Sequence, residues 1–394
     1  MNKMVINHLE KLFVTSDAAT IIKESDVHHP AAKMIAQAAK MQENEAGDGT
    51  NFVISMCGEL LTQAESLIKM GLHPVEILNG YEKASIRALG IMETLSCHAP
   101  TADDLRNEEK MTDCIRAAIA SKQFGCEDFL SELIAKASIY AMPRNANRFT
   151  VENVRVQKIL GGGMSDSIVV HGMVIIRRSE TTITSQKDCH VAVFNTNIEM
   201  NQGETKGTVL MKTADDLLNY TKGEEDKFEG FVKGLAEAGI KVVVCSGSMS
   251  ELAIHFFEKY NMMALKIMSK WELKRIARAV GATPIVNLTT PTKEELGYAD
   301  EASFCEISSN WCTVFRRDQD ENKMATIILR GSTHSLLEDT ERAIDDGVNT
   351  VKTLVRDARM VAGAGATEIY LAAQIQKFAK EQPGLDQYAL ERFG

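Results

Sequence analysis

The sequence has no Cys-x-x-Cys pair, no Gly-Lys dipeptide, no Gly-x-Gly-x-x-Gly run and no stretch dense in lysine or arginine. Each absence removes a class of function. The eight cysteines (Cys57, Cys97, Cys114, Cys126, Cys189, Cys245, Cys305 and Cys312) are scattered through 394 residues, the pattern of reduced cytosolic thiols and not of a disulfide framework. Cys97-His98 and Cys189-His190 have no second pair at zinc spacing and are incidental. Without Gly-Lys there is no Walker A loop. A net charge of −10 with no basic tract argues against a nucleic-acid partner. No apolar run approaches bilayer length and the N-terminus has no signal-peptide core, so no membrane partner is expected. Repeats and low-complexity segments are also missing.

What is there is the composition of a globular protein, 44% hydrophobic and 25% charged, long enough for two or three domains with sizeable cores. Nineteen methionines are read as core filling. Up to about Cys97 the periodicity is mostly helical, with His73-Pro74 ending one helix before another over 75–92. Helical patterns continue over 105–120 and 129–139 and stop before Pro143. The texture changes near Val154. Extended segments are expected at 168–177, 191–194, 242–245 and 264–267, and helical ones at 224–238, 249–260 and 272–280. That alternation implies βαβ units and a partly parallel sheet. Residues 304–307 and 313–316 read as a hairpin and 326–330 as a further strand. After Gly331 a helix returns over 336–356. Helices, then α/β, then helices again indicate one domain inserted in another. Gly161-Gly162-Gly163 lies where the texture changes and reads as a hinge, since the partners of a phosphate loop are missing.

Gly47-Asp48-Gly49-Thr50 is a turn between two helical patterns, Met34/Ile35/Ala38/Met41 before it and Phe52/Val53/Met56/Leu60 after it. Its glycines allow close backbone approach, and Thr50 opens a helix whose free N–H groups suit a phosphate. A carboxylate there repels phosphate unless a cation lies between, so Asp48 reads as a hard-cation ligand, with Mg²⁺ bridging to phosphate oxygens. The ordinary alternative is a tight loop with Thr50 as a cap. Two other acidic sites stand out. Asp17 precedes a helical pattern, and Asp346 follows Asp345 in the returning helix. Singly they read as a cap and a solvated helix face.

Longer stretches bind these fragments together: Thr15 to Ile21, His29-Pro30-Ala31-Ala32-Lys33-Met34, Gly47 to Phe52, Lys158-Ile159-Leu160-Gly161, Glu204-Thr205-Lys206-Gly207-Thr208, Arg330-Gly331-Ser332-Thr333 and Ala366-Thr367-Glu368. With Met1-Asn2-Lys3-Met4-Val5 they make the whole chain resemble the group II chaperonins. Ala18 and Asn51, where most paralogues have glycine and threonine, point to one subunit type within that family.

The resemblance implies a multi-domain α and α/β fold with chaperonin architecture. It implies an incomplete helical equatorial domain over 1–97 and 357–394, and a small α/β intermediate domain over 98–162 and 323–356. An inserted α/β apical substrate-binding domain would span 163–322, with a helical protrusion over about 204–229. It further implies ATP or ADP with Mg²⁺ as cofactors. Asp48 would be the metal ligand, Asp346 the general base and Asp17 a second catalytic acid. Gly47, Gly49, Thr50, Asn51 and Phe52 would line the phosphates. Ser121 and Lys122 would sense the nucleotide, and Gly363, Ala364 and Gly365 would approach the adenosine. The expected role is a subunit of a cytoplasmic hetero-oligomeric double ring, which folds non-native client proteins and closes its lid on ATP hydrolysis.

Two departures bear on activity. The chain starts just after the place of the family's Gly-Pro-x-Gly nucleotide loop and ends before most of the C-terminal equatorial helices, so it is expected to be truncated at both ends. Ala364 also replaces the middle glycine of a Gly-Gly-Gly, which costs about 1 kcal/mol if the position needs positive φ. The alternative expectation is therefore a non-catalytic module that binds clients or partners.

Overall fold

The computed structural model describes all residues except 1–2, 8–9, 26, 102, 200–213 and 318–323. The expected motif at 204–208 and the first ten residues of the expected protrusion lie outside the described residues. The chain divides into two compact units, one of Met1–Ser131 with Arg342–Gly394 and one of Glu132–Glu341. The second is thus an insertion in the first.

The first run of the first unit opens with a hairpin, β1 (Lys3–Ile6) and β2 (Leu12–Thr15), paired antiparallel from Lys3↔Thr15 to Ile6↔Leu12. The sequence pattern did not reveal it, because Met4, Ile6 and Leu12 are exposed and the strands are too short to show an alternation. Helices follow: α1 (Ala18–Glu24), α2 (Pro30–Glu45), α3 (Thr50–Lys69), α4 (Pro74–Met92) and α5 (Glu108–Ala120), and the chain passes into the second unit within α6 (Glu127–Tyr140). α2 and α4 start in the same way. His29 and His73 each accept a backbone N–H on Nδ1, from Ala31 and Val75, and a proline without an N–H follows at the first helical position. The α5 pattern begins later than the periodicity suggests, because Asp104–Arg106 is a separate 3₁₀ turn ahead of the Asn107 cap.

The inserted unit carries β3 (Val154–Leu160), β4 (Ile168–Val170), β5 (Gly172–Ile175), β6 (Ser185–Phe194), α7 (Ala214–Glu237), β7 (Ile240–Ser246), α8 (Glu251–Lys259), β8 (Met263–Ile267), α9 (Lys270–Val280), β9 (Gly297–Ile307), β10 (Asn310–Arg316) and β11 (Ala325–Gly331). Six strands form one mixed sheet in the order β5-β10-β9-β6-β7-β8, with β6, β7 and β8 parallel and the rest antiparallel. Both faces of its parallel part are buried. Val191, Val193, Val242, Val244, Met263 and Leu265 pack with α9 residues Leu273, Ile276 and Val280. The alternate residues Ala192, Phe194, Val243, Cys245 and Ala264 pack with Phe228, Val232, Phe256 and Phe257 of α7 and α8. Runs apolar on both faces are what made β7 and β8 readable.

The expected single strand over 168–177 is two strands. Gly172 has φ +141°, and a Cβ there would lie 1.9 Å from the Phe315 carbonyl oxygen, so the chain changes sheets at this point. β6 begins six residues earlier than its apolar run, because that half is mostly polar.

A second sheet, β3-β11-β4, places the two glycine segments side by side, with Gly161 N donating to Gly331 O at 2.9 Å. Asp166 Oδ2 accepts from Gly163 N at 2.8 Å and Arg330 Nε donates to Gly161 O at 2.7 Å. The triplet thus holds one of its own carboxylates where an anion would sit, which is against a phosphate loop.

The chain re-enters the first unit within α10 (His334–Arg356), then forms α11 (Ala366–Glu381) and α12 (Asp386–Phe393). Ala84 of α4 packs with Ile375, Ala379 and Leu390, and Leu67 and Ile77 with Ala389.

Candidate functional site

All the acidic residues singled out lie in the first unit. Asp17 is the N-cap of α1. Its carboxylate accepts from the amides of Ala19 (3.2 Å) and Thr20 (2.9 Å), and from the hydroxyls of Thr20 (2.6 Å) and Thr50 (3.1 Å). Burial raises its pKa, but these bonds, the Thr20 hydroxyl foremost, outweigh burial and hold it below the ordinary value. The Thr50 bond joins this cap to the first turn of α3 across 33 residues.

The 47–49 turn is fixed from both sides. Gly47 has φ +73°, and a Cβ there would lie 2.1 Å from Cγ of Asn349, so only glycine lets α10 come this close. Gln42 Nε2 donates to the Asp48 carbonyl at 3.0 Å, and Asp48 Oδ1 accepts from Gly49 N at 2.7 Å. Gly49, at φ +80°, is the N-cap of α3 and offers no side-chain bond, so the N–H groups of Thr50, Asn51 and Phe52 open a helix without a capping side chain. Thr50 is buried, Asn51 is exposed with its amide 3.4 Å from the Ser16 carbonyl, and Phe52 is 56% exposed.

Asn349 lies three residues after Asp346, one turn along the same face of α10. The contact at Gly47 therefore also presents Asp346 to the turn. Ser121 is the C-cap of α5, and Lys122 follows it with its amide bonded to Ile119 O at 2.9 Å. The Lys122 ammonium lies 3.1 Å from Asp48 Oδ1 and also pairs with Asp346 Oδ2. Only 15% of the Lys122 side chain and 16% of Asp346 are exposed, against 38% of Asp48. Burial raises Asp346 to about 7; Lys122 opposes this, and the charges of Asp48 and Asp17 add to it. For Lys122 burial works against the charge, but Asp346 and then Asp48 outweigh it and the ammonium titrates higher than usual. Asp345 is exposed where Asp346 is largely buried, which distinguishes the two neighbouring aspartates.

The three aspartates are thus brought together through Thr50 and Lys122. The loop of Gly363, Ala364 and Gly365 shares no hydrogen bond or ion pair with them among the described residues. Ala364 does adopt φ +57°, the strained geometry that its methyl disfavours, and Gly365 is the left-handed cap of α11. Two positioning residues had escaped the sequence reading, Gln42 and Asn349. Asn349 had one signal, its spacing from Asp346.

These residues fit a magnesium nucleotide. A helix start without a side-chain cap suits phosphate oxygens, and the part-exposed carboxylate beside it suits a hard cation. No group of three His, Cys, Asp or Glu side chains able to hold a metal occurs among the described residues. An ion held there by one or two carboxylates would need substrate phosphates to complete its shell.

Among the described residues no helix is long and apolar enough to cross a membrane. The chain is 49% identical over 393 residues to T-complex protein 1 subunit theta of Arabidopsis thaliana, 48% to that of Homo sapiens and 47% to that of Dictyostelium discoideum. These alignments cover 100% of this chain and 71–73% of each relative. A profile of the TCP-1/cpn60 chaperonin family matches residues 1–394. The chain belongs to the TCP-1/cpn60 chaperonin family.

Proposed function

We propose that this chain is a chaperonin subunit that hydrolyses ATP at the acidic site and uses the cycle to fold non-native proteins in the cytoplasm, as one member of a hetero-oligomeric double ring. The observation that carries the reading is the meeting of Asp48 and Asp346 on one ammonium, 3.1 Å from Asp48, beside the uncapped start of α3. In this reading Mg²⁺, when bound, neutralises phosphate charge and orients the nucleotide. Asp48 holds that ion. The amides of Thr50, Asn51 and Phe52 bind phosphate oxygens, and Gly47 and Gly49 shape their approach. Asp346 accepts the proton of the attacking water, and its pKa of about 7 suits a base that works near neutral pH. Asp17, bonded to Thr50, fixes the start of α3 and adds negative charge near Asp346. Lys122 and Ser121 report on the nucleotide, and Gly363, Ala364 and Gly365 lie along the adenosine. The inserted unit corresponds to the apical domain and part of the intermediate domain. It offers the exposed Met268, Trp271 and Trp311 to clients.

Calorimetry and steady-state hydrolysis test the proposal. Mg-ATP binds in the micromolar range, and Asp346→Asn keeps binding but lowers turnover by about a hundredfold or more. Because Asp346 must be ionised to take a proton, turnover rises with pH through about 7, and the variant loses that rise. Unchanged hydrolysis in Asp346→Asn removes it as the base. One observation favours the second reading, a module that binds without turnover: Ala364 occupies its left-handed position at a steric cost in the loop assigned to the nucleotide. Absence of Mg-ATP binding decides for it.

A further inference from the structure

Lys122 makes a bond pattern that nucleotide sensing does not require. Its backbone is tied at the end of α5, with both its own amide and that of Gln123 bonded to Ile119 O at 2.9 Å. Its side chain reaches Asp48 Oδ1 at 3.1 Å and Asp346 Oδ2, carboxylates that are almost 300 residues apart in the chain. An ammonium and a divalent cation cannot share the same carboxylate oxygens without strong repulsion. Each carboxylate has one other fixed bond at most on this side: Asp48 Oδ1 takes the Gly49 amide, and Thr350 Oγ1 bonds the Asp346 backbone and not its carboxylate. The charge facing Asp48 is therefore the Lys122 ammonium.

We infer that Lys122 is a tethered counter-ion that keeps the site closed to free divalent cation and yields Asp48 only when nucleotide phosphates offer its ammonium a new anionic partner. The inference rests on the reading of Asp48 as the cation ligand. In the absence of nucleotide the ammonium cancels one of the pair's two negative charges and occupies their facing oxygens, so metal alone gains little by entering. When a triphosphate arrives, its oxygens take over the ammonium, Asp48 is released to the metal and Asp346 is released to water. Metal and nucleotide then bind as one unit, and the acidic site does not collect cations between cycles.

Mn²⁺ as a paramagnetic probe tests this on the 394-residue chain without nucleotide. Wild-type protein binds Mn²⁺ weakly. Lys122→Met binds it at least about tenfold more tightly, the effect of lifting one pK unit of charge interaction, and Lys122→Arg restores weak binding. Lys122→Gln, which keeps a hydrogen-bond donor but loses the charge, guards against a folding defect and shows the same gain. Adding Asp48→Asn to Lys122→Met removes the gain. Equal Mn²⁺ affinity in wild type, Lys122→Met and Lys122→Gln overturns the counter-ion role. If wild type nonetheless binds Mg-ATP, only this inference fails. If Mg-ATP binding is also absent, the nucleotide reading fails with it.

Discussion

The inserted unit and the unit that carries the acidic site bury their apolar residues differently. In the insertion, one sheet is covered on both faces, and Phe194, Phe257 and Phe315 are almost completely enclosed. The site-bearing unit also encloses side chains, among them Leu67, Met111, Ile115, Ile119 and Leu130, but its helices show large apolar residues to solvent: Met34 (72% exposed), Leu78 and Ile86 (66%) and Ile369 (73%). A side chain left in water contributes little of the roughly 1.5–3 kcal/mol that its full burial would add. Polar ties hold the site itself: Asp17 to Thr50, Gln42 to Asp48, Arg342 to the Val14 carbonyl. The lesson is that the same substitution has a different meaning in the two units.

The largest expected contrast uses phenylalanine. Phe257→Ala, in the sheet-and-helix core, costs about 3–5 kcal/mol by urea denaturation, whereas Phe52→Ala, half exposed on α3, costs less than about 0.5 kcal/mol. Comparable losses at both positions would break the comparison. Next in size is Gly47→Ala. The methyl meets Asn349 and also demands a left-handed backbone, so the loss is about 2–4 kcal/mol, with a fall in Mg-ATP affinity. Gly71→Ala, at φ +99° with open space around it, isolates the backbone part at about 1 kcal/mol. If the two cost the same, the packing against α10 is unimportant. The smallest effect has the opposite sign: Ala364→Gly relieves a left-handed alanine and raises stability by up to about 1 kcal/mol in thermal melts. A lowered melting temperature would show that the loop is not strained.

The same contrast separates what the sequence made legible from what it hid. β7 and β8 were legible because they are buried on both faces, and the 304–316 hairpin because turn residues separate two apolar runs. The β1–β2 hairpin was hidden because Met4, Ile6 and Leu12 face solvent, and a buried pattern is what periodicity detects. At the site, Asp17 and the 47–49 turn were readable as local features, a cap and a bend. That Asp346 belongs with them was implied only by the family resemblance, because residues about 300 positions apart in the chain leave no local trace. Lys122, read on its own, is an ordinary lysine at a helix end. Its significance comes from which carboxylates the fold puts in front of it.

The contact between Gly47 and Asn349 has a consequence for biogenesis. The turn is synthesised early, but Asn349, which locks it, lies beyond the whole of Glu132–Glu341, so the ribosome needs on the order of 10–40 s to supply the second half of the site. The insertion is a compact unit of its own and is free to fold during that wait. The acidic site is therefore completed late in the life of each new chain, once the polypeptide has passed residue 349 and returned to where it began.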